Sequence, residues 1–225
     1  GAFDWSVGRD AKYSELNDQA GHHEVVWVIS GRKAQHGGLA AVVDVTDRSH
    51  PILKGGLRTV KIPGAFSADG STGIASGLIA VTATDQLLVI SDSIYGTLLF
   101  DPKTAYNAVG ELVPFARISR SAASSFDFDQ TGKTLFVAYS DSIQALDLSA
   151  WVDHPRPSSP NWEPPILATF NNSSVSEGGC GTCRNLGELY INGNIIYSGA
   201  RYGGGTPYII NPPGTGLGLN TIEFV

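Results

Sequence analysis

The sequence predicts an all-β protein built from about four consecutive units, each of them a small antiparallel sheet. The chain has 27 glycines and 12 prolines among its 225 residues, and so many turn residues suit short strands better than long helices. Strand–turn–strand patterns also recur at a spacing of roughly 45 to 50 residues, which is typical of repeated supersecondary units.

The clearest unit runs from Phe126 to Asp147, with the sequence FDFDQTGKTLFVAYSDSIQALD. It predicts strands over 134–139 and 143–148, with one turn before the first strand and a second turn between them. A second copy, ATDQLLVISDSIYGTLLFD, ends at Asp101 and has the same order of features. Because both copies place a Ser-Asp-Ser turn between two apolar strands, we expect two units of the same structure.

Two further units lie nearer the ends of the chain. The first has an apolar strand over 24–31 and, after a polar loop, a second one that begins at Leu39. The last has apolar runs on both sides of Asn192-Gly193, a dipeptide that predicts a two-residue hairpin because both turn positions favour positive φ. The alternating run over 219–225 predicts a final edge strand, which needs a partner from the N-terminus or from another chain.

These patterns divide the chain into an N-terminal extension and four units. The predicted boundaries are 1–21 for the extension and 22–73, 74–121, 122–174 and 175–225 for the units. Proline-rich residues 155–165, interrupted by Trp162, predict an ordered excursion between the third and fourth units.

The third unit resembles the YVTN repeat of extracellular β-propellers, in which an Asp/Gly/Lys turn leads into an apolar strand and a second strand ends in Asp. The run VVDVTD at 42–47, followed by Pro51, is similar to the LVIVD repeat, another bacterial and archaeal propeller signature. The resemblance implies a β-propeller-type array of about four antiparallel blades, either closed alone or part of a larger propeller. It leaves out 1–21 and 151–165, and it does not identify a ligand.

Charge and hydropathy exclude two classes of partner. The formal net charge is -6 and no cluster of Lys and Arg occurs, so the basic surface that nucleic acids and anionic membranes need is absent from the sequence. No apolar run approaches the roughly 18 residues that a membrane-spanning helix requires. We therefore expect no nucleic-acid partner and no membrane span.

Several features predict a secreted or cell-surface protein. The chain begins at Gly1 and contains no Met, so we expect an initiator Met to have been removed with a signal peptide or a longer precursor segment. Asn171 and Asn172 begin two overlapping N-glycosylation sequons. Such sequons are used only by proteins that enter the secretory pathway, which makes a glycoprotein the expectation.

Cys180 and Cys183 are the only cysteines, and they form a Cys-Gly-Thr-Cys pair. A short disulfide that closes a glycine-rich loop is the prediction for an oxidising compartment. A c-type haem would need His directly after the second cysteine, where Arg184 stands. A thioredoxin-like centre would need a helix N-terminus after a strand, and a zinc site would need two further ligands.

Metal binding is an alternative at two places. His22 and His23 could contribute to a copper or zinc site at the propeller axis, although adjacent strand residues face opposite sides and surface histidines are the ordinary explanation. Asp127, Asp129 and Gly132 resemble the start of a calcium loop but are also explained as the turn that begins a strand. No cofactor is predicted, and a structural calcium or an axial metal stays an open alternative.

Loop side chains provide the candidate ligand-binding residues. Aromatic rings and guanidinium planes stack on sugars or grip peptides, which selects Trp5, Tyr95, Trp151, Trp162, Arg201 and Tyr202. Packing between blades is the structural alternative for each of them. Asp44, Asp101 and Asp147 recur at one position of the units, which predicts that they cap turns and are not parts of a single active site.

The blade pattern predicts a non-enzymatic extracellular protein that presents loops to a protein or glycan, or that packs into a surface assembly. No Gly-x-Ser-x-Gly elbow and no Walker loop occur in the sequence, and no catalytic residue is predicted. The alternative is a propeller enzyme, either a lactonase-like or carbohydrate-active hydrolase or a metal-dependent oxidoreductase. A fragment completed by a second chain is a further alternative.

Overall fold

The computed structural model describes residues 8–31, 38–66, 70, 72–75, 77–118, 122–139, 142–152, 163–171, 186–192, 195–200, 208–210 and 222–224. These residues fall into two compact units. Residues up to Ala122, together with Glu163, belong to the first unit, and the remaining described residues belong to the second.

Strands dominate both units. The first unit contains β1 Gly8–Asp18, β2 Gly21–Ser30, β3 Leu39–Asp44, β4 Ile52–Ile62, β5 Gly73–Ile74, β6 Leu78–Ala83, β7 Leu88–Asp92, β8 Gly96–Phe100, β9 Glu111–Leu112 and β10 Ala116–Ile118. The second unit contains β11 Ser125–Phe128, β12 Thr134–Ala138, β13 Ser142–Asp147, β14 Ile166–Asn171, β15 Leu186–Asn192, β16 Ile195–Ala200, β17 Tyr208–Ile210 and β18 Ile222–Phe224. Within the described ranges, the helical segments are the 3-10 helix Gly64–Phe66, α1 Pro102–Asn107 and α2 Ser149–Val152.

The strands form four sheets whose members follow one another along the chain. The first sheet has the order β1-β2-β3-β4-β5, with β9 added to β4, and the second has the order β10-β8-β7-β6. The third and fourth sheets have the orders β11-β12-β13-β14 and β15-β16-β17-β18. All of these strand pairs are antiparallel except β4 with β9, which confirms a mostly β protein with several antiparallel sheets.

Turn signals predicted two hairpins of the second unit to within a residue. The predicted strands over 134–139 and 143–148 correspond to β12, which ends one residue earlier, and to β13, which begins and ends one residue earlier. A hairpin joins β15 to β16 as predicted, but Asn192 still belongs to β15 and pairs with Ile195, so the turn begins one residue later than the predicted Asn192-Gly193. The predicted strand over 219–225 contains β18, which pairs only with β17 among the described residues.

The long strand β1 comes from the segment that matches no blade pattern. It pairs with β2 over its whole length, from Gly8 opposite Ser30 to Asp18 opposite Gly21. The burial of its side chains alternates, as expected for a strand with one covered face. The indole N–H of Trp27 donates to the hydroxyl of Ser14 at 2.9 Å, which satisfies both buried polar groups.

Each unit has its own hydrophobic core. In the first unit, alternate residues of β2 and of β6 to β8 are buried together, among them Trp27, Ile29, Ile90 and Leu98. In the second unit, β12 and β13 pack against β15 and β16 through Phe136, Ala138, Ile143, Ala145, Leu189 and Ile196. Fully burying one large apolar side chain stabilises a fold by about 1.5–3 kcal/mol, so these clusters hold the sheets of each unit together.

A β-bulge in β4 allows an arginine to reach inward. Gly55 and Gly56 have φ values of 64° and 72°, which L side chains rarely adopt. The Arg58 guanidinium, 1% exposed, donates to the carbonyls of Lys54 at 2.7 Å, Tyr106 at 3.1 Å and Ala108 at 2.9 Å. It thereby satisfies carbonyls at and just beyond the C-terminal end of α1, which have no partner within the helix itself.

No helix within the described ranges has the length and hydropathy that crossing a bilayer requires.

Candidate functional site

An open groove lies between the tip of the β1–β2 hairpin and helix α1, within the first unit. We call it the hairpin–helix groove. It is lined by Asn17, Asp18, Gln19, Ala20, Lys103, Thr104, Asn107 and Ala108. Loop tips and short helices of this kind carry binding residues more often than strands do, since a rigid sheet positions them.

The hairpin wall of the groove is organised by Asp18. Its Oδ1 accepts hydrogen bonds from the backbone N–H groups of Ala20 at 2.7 Å and Gly21 at 3.2 Å. These bonds, the Ala20 bond first, hold the pKa of the Asp18 carboxyl below its ordinary value. Gly21 has φ 134°, a conformation that closes the tight turn and that other residues rarely adopt. The turn therefore presents a fixed negative charge.

The helix wall is formed by the exposed side of α1. The Asp101 side chain caps the helix by accepting from the Thr104 N–H at 2.8 Å, and Pro102 follows it in the first turn. Tyr106 points into the protein, whereas Lys103 and Asn107 are exposed. The Asn107 side-chain nitrogen donates to the Lys103 carbonyl at 3.1 Å. Its side-chain oxygen makes no hydrogen bond with the described residues.

Four side chains beside the groove connect its two walls. His23 contacts Asp18 through Nε2 at 3.2 Å and Asp44 through Nδ1 at 3.3 Å. The Tyr106 hydroxyl donates to the same oxygen of Asp44 at 2.5 Å. The rings of His23 and Tyr106 lie 4.8 Å apart between centroids. We call this set the Asp18–His23–Asp44–Tyr106 cluster. It joins β1, β2, the end of β3 and α1.

The cluster fixes the ionisation of two of its members. Burial alone would raise the pKa of Asp44, but hydrogen bonds from Tyr106 and Thr46 and the electrostatic attraction of His23 outweigh it and hold that pKa at about 2. Burial, and then the hydrogen bond to Asp44, raise the pKa of the Tyr106 hydroxyl well above its ordinary value. An acid or base catalyst needs a pKa near the working pH, so these shifts suit a structural connection.

The two adjacent histidines point in different directions, as their positions in β2 require. His22 contacts the Asn17 side chain at 3.2 Å, whereas His23 belongs to the cluster. Both ring nitrogens of His23 face carboxylates on opposite sides of the ring. Among the residues that the structure describes, no group of three or more His, Cys, Asp or Glu side chains could hold a metal ion.

Two of the aromatic candidates lie within the described residues. Tyr95 is half-buried and packs against the core of the first unit, and its backbone N–H donates to Asp92 at 2.8 Å. Trp151, in α2, is 3% exposed, so its ring offers little surface to a ligand. The remaining candidates lie outside the described residues: Trp5, Trp162, Arg201, Tyr202, Cys180, Cys183 and Asn172. Asn171 ends β14 and pairs with Ser142.

The aspartates that recur at one position of the units do cap turns. Asp44 accepts from the Thr46 N–H at 2.9 Å, and Asp147 accepts from the Ser149 N–H at 2.9 Å. The third of them is the α1 cap described above. The capping prediction is confirmed for all three, and Asp44 has the additional role in the cluster that its position in the repeat did not indicate.

The turn that resembles a calcium loop is closed by its own residues. Asp129 accepts from the backbone N–H groups of Lys133 at 3.1 Å and Thr134 at 3.0 Å, and from the Thr131 hydroxyl at 2.8 Å. Gly132 adopts φ 69° within this turn. These bonds support the structural interpretation of the turn.

No sequence pattern predicted the groove, although local signals for both walls are present. Asp18 followed three residues later by Gly21 indicates a capped turn, and Asp101-Pro102 indicates a helix start. Neither signal indicates that the turn and the helix meet. Tyr106 lies 83 residues from His23 in the chain, and no local pattern connects them.

Comparisons with known proteins add little to this description. No protein-family model matches the sequence, and no curated protein matches it. The chain is similar to the crystal structure of the computationally designed Ika4 protein, with a TM-score of 0.44 and 16% identity over 91% of this chain and 90% of that one. It is also similar to the computationally designed Ika8 protein, with a TM-score of 0.42 and 14% identity over 88% of this chain and 45% of that one. These similarities are weak, and neither fold nor function is inferred from them.

Proposed function

We propose that this chain is an extracellular β-propeller-type protein of the YVTN or LVIVD kind that binds a protein or glycan through its loops. Sheets made of strands that follow one another along the chain support this proposal, since propeller blades are built in that way. Secretion or display at the cell surface, and completion of the array by a second chain, belong to the same proposal.

The observation that carries the binding role is the hairpin–helix groove. Its walls come from a hairpin tip and a short helix, and both are held by capping bonds and by the cluster. Asp18 Oδ2, the Gln19 amide and the Lys103 ammonium make no hydrogen bond or ion pair with the described residues, so these groups are available to a ligand. A preformed set of uncommitted polar groups lowers the cost of ordering on binding.

A binding experiment with a matched pair of variants tests the proposal. The purified chain is applied to a glycan array and to an extracellular-protein array, together with Gln19→Ala and with Gln130→Ala. Gln130 is also an exposed turn residue, and it lies outside the groove. We expect ligands whose binding is weakened by Gln19→Ala and retained by Gln130→Ala. The proposal is contradicted if no ligand binds reproducibly, or if Gln19→Ala leaves the binding of every ligand unchanged.

A propeller enzyme, either a hydrolase or a metal-dependent oxidoreductase, is the alternative function. The cluster is the natural place to test it, since it combines a histidine, two carboxylates and a phenol. The pKa of Asp44 lies far below neutrality and that of Tyr106 far above it, so neither group exchanges a proton readily near pH 7. This favours the binding function over acid–base catalysis by these two groups. Metal analysis of the isolated protein, with turnover assays on lactones and glycosides, separates the two functions.

A further inference from the structure

We infer that the hairpin–helix groove takes an extended peptide segment with a basic side chain placed against Asp18 and an acidic side chain placed against Lys103. This inference rests on the proposed binding function and narrows it to one class of ligand. It depends on three observations: the opposite charges of the walls, the side-chain cluster that joins them, and the kinds of side chain that line the groove.

The two walls carry one charge each, with opposite signs. Asp18 supplies the negative charge of the hairpin wall, and Lys103 supplies the positive charge of the helix wall. Lys103 is exposed and forms no ion pair with any described residue. A ligand that bears both charges satisfies both walls, whereas a ligand of one sign is attracted by one wall and repelled by the other.

Asp18 is held ready for a ligand. Its Oδ1 is occupied by Ala20, Gly21 and His23, while Oδ2 makes no hydrogen bond with the described residues. The side chain is only 14% exposed, so its orientation is fixed by its surroundings. A carboxylate that is already oriented loses little freedom when an ammonium or guanidinium group binds to it.

The cluster joins the two walls. Asp18 contacts His23, His23 contacts Asp44, and Asp44 accepts from Tyr106, which belongs to the helix that carries Lys103. The buried Arg58 guanidinium also holds the carbonyl of Tyr106. The backbones of the two walls are therefore held together, and one ligand can meet both charges at once.

The lining favours a peptide over a sugar. Sugar rings are usually gripped by a flat aromatic face, and none of the described lining residues is aromatic. Asn17, Gln19 and Asn107 supply amides. The Asn17 oxygen already contacts His22 and the Asn107 nitrogen donates to the Lys103 carbonyl, so the Asn17 nitrogen, the Asn107 oxygen and the Gln19 amide are the groups left for a ligand. They include both donors and acceptors, as the backbone of an extended peptide does.

Selection from a random peptide library displayed on phage tests the inference with the full chain as bait. We expect the selected peptides to share a Lys or Arg and an Asp or Glu at a constant spacing. A library that gives no enriched peptide, or peptides without this charge pair, overturns the inference. If glycans bind in a way that depends on Gln19 while no peptide does, the inference fails and the proposed binding function stands.

Two variants keep the fold and change the charges. Lys103→Glu alters an exposed helix residue, and Asp18→Asn keeps an oxygen that can accept from the Ala20 and Gly21 N–H groups. We expect Lys103→Glu to lower the affinity for a selected synthetic peptide by about tenfold or more. The same variant should prefer an analogue of that peptide in which Lys replaces the acidic residue. Asp18→Asn should lower the affinity for the same peptide by a similar factor.

The matched control is Lys133→Glu, which makes the same charge change at an exposed turn outside the groove. Fluorescence anisotropy with each synthetic peptide measures the affinities, and far-UV circular dichroism checks that every variant is folded. Equal loss of affinity in Lys133→Glu and Lys103→Glu would show that net charge alone matters, and the inference would then be wrong.

Discussion

The Asp127 carboxylate in β11 accepts a hydrogen bond from the backbone N–H of Ile191 in β15, 64 residues later, at 2.9 Å. The first unit contains the same kind of bond, in which Asp10 of β1 accepts from the Val81 N–H of β6 at 2.8 Å. A first strand of a sheet has one edge without a neighbouring strand, and its buried N–H groups need acceptors. In each unit, an aspartate on one sheet supplies that acceptor to the next sheet.

We expect Asp127→Ala to expose the Ile191 amide to exchange. Removing the carboxylate leaves a partly buried N–H without its acceptor, which costs about 1 kcal/mol. Amide hydrogen exchange followed by NMR measures the effect at this single N–H, and Gln130→Ala in the neighbouring turn is the control. Unchanged protection of the Ile191 amide in Asp127→Ala would show that the bond contributes nothing.

The two glycines of the β4 bulge should differ in their tolerance of alanine. Both have positive φ, so Gly56→Ala is expected to cost about 1–2 kcal/mol of unfolding free energy. A Cβ at Gly55 would lie 2.4 Å from the Ala108 carbonyl oxygen, whereas a Cβ at Gly56 meets nothing within 4 Å. Gly55→Ala should therefore cost about 1–3 kcal/mol more, measured by urea denaturation. Equal costs for the two variants would contradict this account of the bulge.

The buried guanidinium of Arg58 is expected to be hard to replace. Arg58→Met fills similar space but leaves three carbonyl groups without their donor, so we expect a loss of roughly 3 kcal/mol or more. The control is Arg48→Met, because Arg48 is 78% exposed and only pairs with Glu24 at the surface, which should leave stability nearly unchanged. Urea denaturation of both variants gives the comparison, and similar midpoints would refute the prediction.

Loss of the Tyr106 hydroxyl should change how stability depends on pH. The folded pKa of Asp44 is about 2, below its ordinary value of 3.8, so its contribution is present above about pH 4 and is lost as pH falls toward 2. Tyr106→Phe removes a bond that lowers this pKa. We expect it to cost roughly 1 kcal/mol at pH 7, after allowance for solvent screening, and less at pH 2 to 3.

Denaturant titrations at several pH values measure this difference. Tyr95→Phe serves as the control, because its hydroxyl makes no hydrogen bond with the described residues and its removal should not alter the pH profile. A constant gap between wild type and Tyr106→Phe across the whole range would argue against an ionised Asp44 as the acceptor.

The sequence could predict those parts of the fold that short-range chemistry determines. The hairpin of β12 and β13 was located within a residue at each end, because its turn and its apolar strands are read from one continuous segment. The strand β1 was not predicted, since its exposed face is polar and Leu16 is its one large aliphatic residue. Its place in a sheet depends on β2, the one strand that pairs with it among the described residues.

The candidate site was less predictable than the fold. Aromatic residues were chosen by type, but Trp151 is buried and Tyr95 is half-buried against the core, and packing is the commonest use of large rings. The groove is instead lined by polar residues such as Asp18 and Lys103. In the sequence, these residues cannot be distinguished from the polar residues of any exposed turn or helix. Their meeting depends on the contact between Asp44 and Tyr106, which are 62 residues apart.

The consecutive order of strands within each sheet has a consequence for how the protein is made. Most strands pair with the strand that was synthesised just before them, so few of the pairings require the closure of a long loop. Each sheet can therefore assemble on the ribosome before the next one has emerged. The parallel pairing of Thr59 with Glu111 is an exception, because β9 is synthesised after the strands of the second sheet β6 to β8. The strand β9 is therefore expected to join the first sheet late in folding.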